Sequence, residues 1–206
     1  MNLTPSPLKH YKTLQDYYDF AERLKNFKDL QEKTKLNRLL CRTDLFWLLW
    51  FGCKRADVAN QWLLDRCKEV EQSPNNHLDL WSRNHYKSTI ITFGKSLQDI
   101  LASHGDNPLS EWDREVTIGI FSATRPLAKG FLRQIKQELE SNKLLKSLFP
   151  DILYDKPQSQ ATKWSEDEGI IVKRKGNPKE ATVEAWGLID GMPVGKHFYL
   201  MVYDDV

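Results

Sequence analysis

The chain has 206 residues, which is enough for one domain of ordinary size with a full hydrophobic core. Hydrophobic residues make up 40% of it and charged residues 28%, as is usual for a soluble globular protein. The formal net charge is only +2, which excludes a basic field over the whole molecule, so any contact with nucleic acid must come from local patches.

The cysteines and the N-terminus indicate a reduced protein that is not exported. Cys41, Cys53 and Cys67 are widely spaced and form no CxxC pair, so we expect free thiols and no zinc site. No signal-peptide pattern opens the chain. The longest apolar run, residues 45–51, is far shorter than the roughly 20 residues that span a bilayer.

Residues 1–76 are predicted to form a helical N-terminal region. Apolar residues recur at intervals of three and four positions over 13–40, which predicts a helix after a loose arm. A short apolar helix is expected to end near Gly52, and another helix is expected over 56–72.

Residues 77–206 alternate between strand and helix patterns, which predicts an α/β fold with a mainly parallel sheet flanked by helices. The expected strands and helices, in chain order, are strand 77–82, helix 87–103, strand 115–122, helix 125–141, a short helix near 144–149, strands 169–174 and 182–186, and strand 198–205.

The stretch 82–89 has the character of a phosphate-binding loop. A Lys-Ser-Thr triplet stands where a helix begins, and such a helix start offers unpaired N–H groups and partial positive charge. The residues predicted to cradle the phosphates are Ser82, Arg83, Asn84, His85, Tyr86, Lys87, Ser88 and Thr89. In the standard pattern G-x-x-x-x-G-K-[ST], both glycine positions are taken here by other residues, Trp81 and Tyr86. A strand-to-helix turn with solvated charges is therefore an alternative interpretation.

Two carboxylates, Asp204 and Asp205, follow the last apolar strand. Adjacent carboxylates repel each other unless a cation or solvent intervenes, although a strand that ends in a solvated turn also produces such a pair. If both motifs lie at the carboxyl ends of parallel strands, they meet at one edge of the sheet, where ligands bind in open α/β folds. We therefore expect Lys87 and the acidic pair to face a common pocket.

The chemistry of phosphoryl transfer assigns roles to these residues, with ATP and Mg²⁺ as the expected ligands. Lys87 is expected to pair with the β- and γ-phosphates, and Ser88 to ligate Mg²⁺. Asp204 is expected to hold the same ion through water, and Asp205 to polarise the attacking water. Arg83 is the predicted catalytic cation near the γ-phosphate.

Several segments in order resemble the large terminase subunits of tailed bacteriophages. Segment 82–89 resembles their deviant phosphate loop, in which an arginine precedes the lysine by four positions and the first glycine is missing. Strand 198–205 resembles their second acidic motif, and segments 122–133 and 186–195 resemble the intervening regions. The resemblance covers roughly 40–206.

This resemblance implies a P-loop NTPase fold of the ASCE-like type and an ATPase that packages double-stranded DNA into procapsids. The implied partners are double-stranded DNA, the portal protein and the small terminase subunit, with a homo-oligomeric ring in the full-length protein and no membrane. The implied location is the cytoplasm of the infected bacterial host.

The chain departs from that family at three points. Tyr86 replaces the usual last glycine of the loop, and Asp205 stands where related motors carry glutamate. Val206 follows the acidic pair at once, without the coupling segment and nuclease domain of terminases, so we expect a fragment whose ATPase core is incomplete at its C-terminal end.

Two other functions remain open from the residues alone. The first is a helicase-like P-loop ATPase. The second is a non-hydrolysing interaction module, in which the N-terminal helices bind a partner; exposed aromatic side chains at Phe46, Trp47, Trp50 and Phe51 would favour it.

Overall fold

A computed structural model describes residues 8–72, 78–82, 84–102, 115–191 and 193–206. Its N-terminal part is helical, as predicted. The helices are α1 (Leu14–Lys25), α2 (Leu30–Thr43), α3 (Leu45–Trp47) and α4 (Gln61–Gln72), with a π-helical turn at Leu48–Gly52 and a 3₁₀ turn at Ala56–Val58. The single helix expected over 13–40 is thus two helices, because Asp29 starts a new one by accepting hydrogen bonds from the Gln31 and Glu32 N–H groups.

A helix begins at Lys87, within the segment 82–89 that is predicted to bind phosphates. Its backbone is helical without a break over 87–102, with a π-helical segment at Thr89–Lys95 that continues into α5 (Ser96–Ala102). This agrees with the helix predicted over 87–103, apart from its winding; residue 103 lies outside the described residues.

The remaining elements form the sheet and the helices around it. They are β1 (Ile118–Ser122), α6 (Arg125–Ser141), α7 (Lys143–Leu148), α8 (Pro157–Gln160), β2 (Trp164–Ser165), β3 (Gly169–Ile170), β4 (Val183–Gly187) and β5 (Leu200–Tyr203). The bounds of α6 are those predicted, because Leu132, Ile135 and Leu139 form a continuous buried stripe on it.

The α/β class is confirmed, but the sheet is mixed. Its five strands have the order β2-β3-β4-β1-β5. β1 pairs in parallel with β4 on one side and with β5 on the other, whereas β2 and β3 are antiparallel and continue from β4. The strand expected over 169–174 is shortened to β3, since the chain leaves the sheet after Ile170.

The strand predicted over 77–82 is wrong for the part of it that is described. Residues 78–82 have no strand pairing, and residue 77 lies outside the described part of the chain. Leu78 and Leu80, whose alternation suggested a strand, have 82% and 84% of their surface exposed. Alternation predicts a strand only when a sheet buries one face, and no described element buries these leucines.

One continuous cluster of buried apolar side chains includes residues from both predicted regions. Phe46 and Trp47 are buried in it, and Trp50 and Phe51 pack against it. Phe46 and Trp47 therefore belong to the core, and Trp50 and Phe51 are half-buried against it, so none of the four is an exposed side chain. Among the described helices, none combines the length and the apolar character that crossing a membrane requires.

Two carboxyl groups lie where the N-terminal helices meet α5. The Asp44 carboxylate accepts hydrogen bonds from the Tyr17 hydroxyl and the Trp47 N–H, each at 2.7 Å. Oε1 of Glu71 accepts from the Leu45 N–H at 2.8 Å and from the Gln98 side-chain amide at 2.7 Å. The network therefore links α1, α3, α4 and α5.

Burial raises the pKa of both carboxyl groups. Desolvation and, to a smaller extent, the nearby Asp44 carboxylate raise the pKa of Glu71 to about 8, against the opposing effect of its hydrogen bonds. Desolvation also raises the pKa of Asp44. Between the ordinary glutamate pKa and about 8, Glu71 is protonated in the folded protein and ionised in the unfolded chain.

We predict that Glu71→Gln changes how stability depends on pH. Because the pKa of Glu71 is higher in the folded state than in the unfolded state, its contribution to the free energy of unfolding falls as pH rises. The slope is about 1 kcal/mol per pH unit between roughly pH 5 and 7.5. Glutamine does not titrate, so the variant's free energy of unfolding should lack this fall. Urea unfolding should therefore show that the stability of the variant increases relative to that of the wild type from roughly pH 5 to 7.5. Glu69→Gln, an exposed position on the same helix, is the control; parallel curves for Glu71→Gln and the wild type would contradict the assignment.

Candidate functional site

The carboxyl ends of the three parallel strands lie at one edge of the sheet, and β1 fixes the chain that leaves β5 there. The Asp204 N–H donates to the Phe121 carbonyl at 2.9 Å, and the Ser122 hydroxyl donates to the Asp204 carbonyl at 2.6 Å. The Ala123 N–H donates to the Asp205 carbonyl at 3.0 Å. Both acidic residues are therefore held by backbone contacts to β1 and the turn after it.

The structure brings the two sequence motifs together. Nζ of Lys87 lies 2.8 Å from Oδ1 of Asp204, and the Asp204 side chain is only 1% exposed. The Lys87 side chain is 31% exposed, so this ammonium group joins a buried carboxylate to the surface of the protein. Residues more than one hundred positions apart thus share one ion pair.

A second contact from the same helix reaches this carboxylate. The Thr92 hydroxyl, which is buried, donates to Oδ2 of Asp204 at 2.5 Å. Thr92 was missed in the sequence, although a signal was present. It is a polar residue in the apolar run 90–93, and it lies four positions after Ser88, on the same face of the helix.

These contacts determine the ionisation of Asp204. Desolvation alone would raise the pKa of its carboxyl group. The contacts with Lys87, Thr92 and Ser88 outweigh desolvation, so the pKa lies below its usual value and the group is ionised. The same ion pair raises the pKa of Lys87, against a smaller opposing effect of burial.

The loop before this helix has left-handed backbone at two positions. Asn84 has φ 65° and Tyr86 has φ 62°. Asparagine tolerates this region, but a bulky residue such as tyrosine does so rarely. Tyr86 is the position at which the standard phosphate loop has its last glycine, and glycine adopts positive φ at no steric cost. Residue 86 therefore has a backbone conformation that favours glycine, although it is a tyrosine.

The loop, the start of the helix and the second aspartate line a solvent-open cavity of about 760 Å³. This volume lies within the range of small-molecule sites. The lining residues are Trp81, Ser82, Asn84, His85, Tyr86, Lys87, Ser88, Thr89 and Asp205. Asp205 is exposed and has φ 53°, a third left-handed residue at this site.

No family model, no curated protein and no solved structure matches this chain. The chemistry open to the site therefore follows from its own groups. The cavity presents one ammonium group, two hydroxyls at the start of a helix and one exposed carboxylate, with a second, buried carboxylate in contact with the ammonium group.

The residues present fit a divalent cation. Oδ1 of Asp204 is buried and contacts Lys87 in an ion pair at 2.8 Å, and no hydrogen bond to this oxygen is found among the described residues. A buried carboxylate oxygen in this state can accept a cation or a water bound to one. The Ser88 hydroxyl, which contributes to lowering the pKa of Asp204 and lines the cavity, could ligate the same ion.

Of the residues predicted to bind phosphates, Ser82, Asn84, His85 and the run 86–89 line the same cavity. Asp205 lines it as well, and Asp204 lies behind it in contact with Lys87. Arg83 lies outside the described residues. Besides Thr92, sequence reasoning missed Ser122, which anchors the Asp204 carbonyl and carries no motif signal of its own.

We predict that Tyr86→Gly is more stable than Tyr86→Ala by about 1 kcal/mol. Both variants lose the same ring, but only alanine keeps a Cβ that is strained at positive φ. At an ordinary helical or extended position the order would be reversed by about 0.5–1 kcal/mol. Urea unfolding of the two variants decides this; equal stabilities, or a more stable alanine variant, would contradict a left-handed residue 86.

Proposed function

We propose that this chain is a P-loop ATPase of the ASCE-like type that belongs to a DNA-packaging motor. The observation that carries the nucleotide part is the Lys87–Asp204 ion pair, which joins the loop to the end of β5 at a cavity that Asp205 also lines. A cation, hydroxyls and two carboxylates at the start of a helix are the groups that phosphoryl transfer from ATP requires.

Binding of a triphosphate requires Lys87 to change partner. Its side chain is partly exposed and reaches the cavity, so its ammonium group can turn from Asp204 to the β- and γ-phosphates. The N–H groups at the start of the helix and the Ser88 and Thr89 hydroxyls add donors on the same side.

When Lys87 turns from Asp204 to the phosphates, the buried, ionised Asp204 carboxylate is left without a counter-charge, which costs free energy. A divalent cation bound at Asp204 and Ser88 would replace that charge and neutralise phosphate oxygens. Nucleotide binding should for this reason depend on Mg²⁺.

The second carboxylate has a different environment and a different proposed role. Asp205 is exposed at the cavity, where it can accept a hydrogen bond from a water and orient it towards the γ-phosphate. Arg83, on the same loop, is proposed as the cation that stabilises charge in the transition state.

The packaging assignment is supported by the order of the segments that resemble large terminase subunits. Under it, the partners are double-stranded DNA, the portal protein and the small terminase subunit, and the motor works as a homo-oligomeric ring in the host cytoplasm. A helicase-like ATPase would use the same nucleotide site. The interaction-module alternative loses one of its supports, because Phe46 and Trp47 lie in the core and Trp50 and Phe51 pack against it.

We predict that Lys87→Ala weakens binding of Mg²⁺-ATP by about 100-fold, as expected when interactions of a charged group worth about 3 kcal/mol are removed. Isothermal titration calorimetry measures this directly. Lys136→Ala is the matched control, because Lys136 is also a partly buried lysine paired with a carboxylate, Glu140, but does not line the cavity. Unchanged affinity in Lys87→Ala would rule out this site.

We predict that Asp205→Asn keeps the affinity for Mg²⁺-ATP within about threefold but lowers hydrolysis at least 100-fold, the usual scale for loss of a general base. In a packaging assay with procapsids and double-stranded DNA, the same change should abolish DNA packaging. Intact hydrolysis in Asp205→Asn would remove the role given to this carboxylate. DNA unwinding without procapsids by the unaltered gene product would favour the helicase alternative.

A further inference from the structure

Three ring side chains from two separate segments meet beside the cavity. Trp62, on α4, lies 5.7 Å from Trp81 and 5.4 Å from His85 between ring centroids, with interplanar angles of 72° and 74°. Trp81 and His85 both line the cavity. We call Trp62, Trp81 and His85 the aromatic cluster.

The aromatic cluster is not buried as a core element is. Trp62 is 42% exposed, in contrast to Trp47, which is fully buried in the core. The guanidinium of Arg66, one turn later on α4, lies 5.6 Å from the centre of the Trp62 ring. A large ring that stays exposed beside a cation and a cavity has the form of a stacking surface for a flat, electron-rich ligand.

The cavity and its margin therefore offer two kinds of contact. Lys87, Ser88 and Asp205 provide charge and hydroxyl groups, whereas the aromatic cluster provides apolar ring surface. A nucleotide has the same division between anionic phosphates and a flat base. We infer that the base of the bound nucleotide stacks on the exposed surface of Trp62, with Trp81 and His85 beside it. This inference rests on the proposed nucleotide site and adds the residues that hold the base.

The inference gives α4 a direct part in ligand binding. Trp62 lies nineteen positions before Trp81, outside the phosphate loop, and belongs to the helical region that precedes it. Stacking on an aromatic ring is tolerant of base identity, since every base has a π-face. Trp62 should accordingly add affinity for any nucleoside triphosphate over a bare polyphosphate.

The test compares Mg²⁺-ATP with Mg²⁺-tripolyphosphate, which has the phosphates and no base. We expect Trp62→Ala to weaken ATP binding about tenfold, leave tripolyphosphate binding unchanged, and be largely rescued by Trp62→Phe. Phe27→Ala is the matched control, because Phe27 is 44% exposed but is not part of the aromatic cluster that borders the cavity. Thermal unfolding of each variant, with Trp62→Phe as the conservative replacement, confirms that the fold is retained.

The outcomes separate this inference from the proposed function. If Trp62→Ala weakens the binding of ATP and of tripolyphosphate equally, Trp62 only positions the loop. Base stacking on Trp62 is then wrong, whereas the proposed nucleotide site is not affected. If ATP affinity is unchanged in Trp62→Ala, the base does not stack there. If the wild type binds neither ligand, the proposed function itself fails.

Discussion

The contact between Lys87 and Asp204 is the constraint on which the site depends. Residues 78–82 do not pair with the sheet, so the loop is not positioned by a strand of its own in the part of the chain that is described. Side chains of the following helix make the connection instead, through the ion pair at 2.8 Å and the Thr92 hydrogen bond at 2.5 Å. Because Asp204 is buried, losing either contact costs more than it would at the surface.

The winding of the helix suits this arrangement. The segment Thr89–Lys95 is π-helical, a form that is rare and that recurs at functional sites. It lies directly after Lys87 and Ser88 and contains Thr92, so the residues that contact Asp204 come from the first turns of one helix. On its other side the helix packs on the N-terminal helices, where Gln98 contacts Glu71. The helix thus links the end of the sheet to the helical region.

Sequence reasoning succeeded where a pattern had one structural cause. The stripe on α6 could arise only from a buried helix face, and its bounds were predicted as observed. The proximity of Lys87 and the acidic motif was predicted from the rule that parallel strands end at a common edge. The two motifs do meet, but no strand precedes Lys87 in the described residues 78–82, and side chains of the helix make the contact instead. Prediction failed where distant partners decide the outcome. Leu78 and Leu80 alternate as in a strand but find no sheet, and the antiparallel pairing of β2 with β3 depends on a turn whose direction periodicity does not encode.

The backbone at residue 205 has a consequence for which acid can serve there. Its φ of 53° lies in a region that aspartate and asparagine enter several times more readily than most residues. In the family of motors to which the proposed function assigns this chain, the position is usually a glutamate, which reaches further by one methylene. At this position a glutamate would reach further, but it would adopt the left-handed backbone less readily than aspartate does. The main chain at residue 205 therefore favours the shorter acid. Under the proposed function, the position of the turn has to set the distance from this carboxylate to the attacking water.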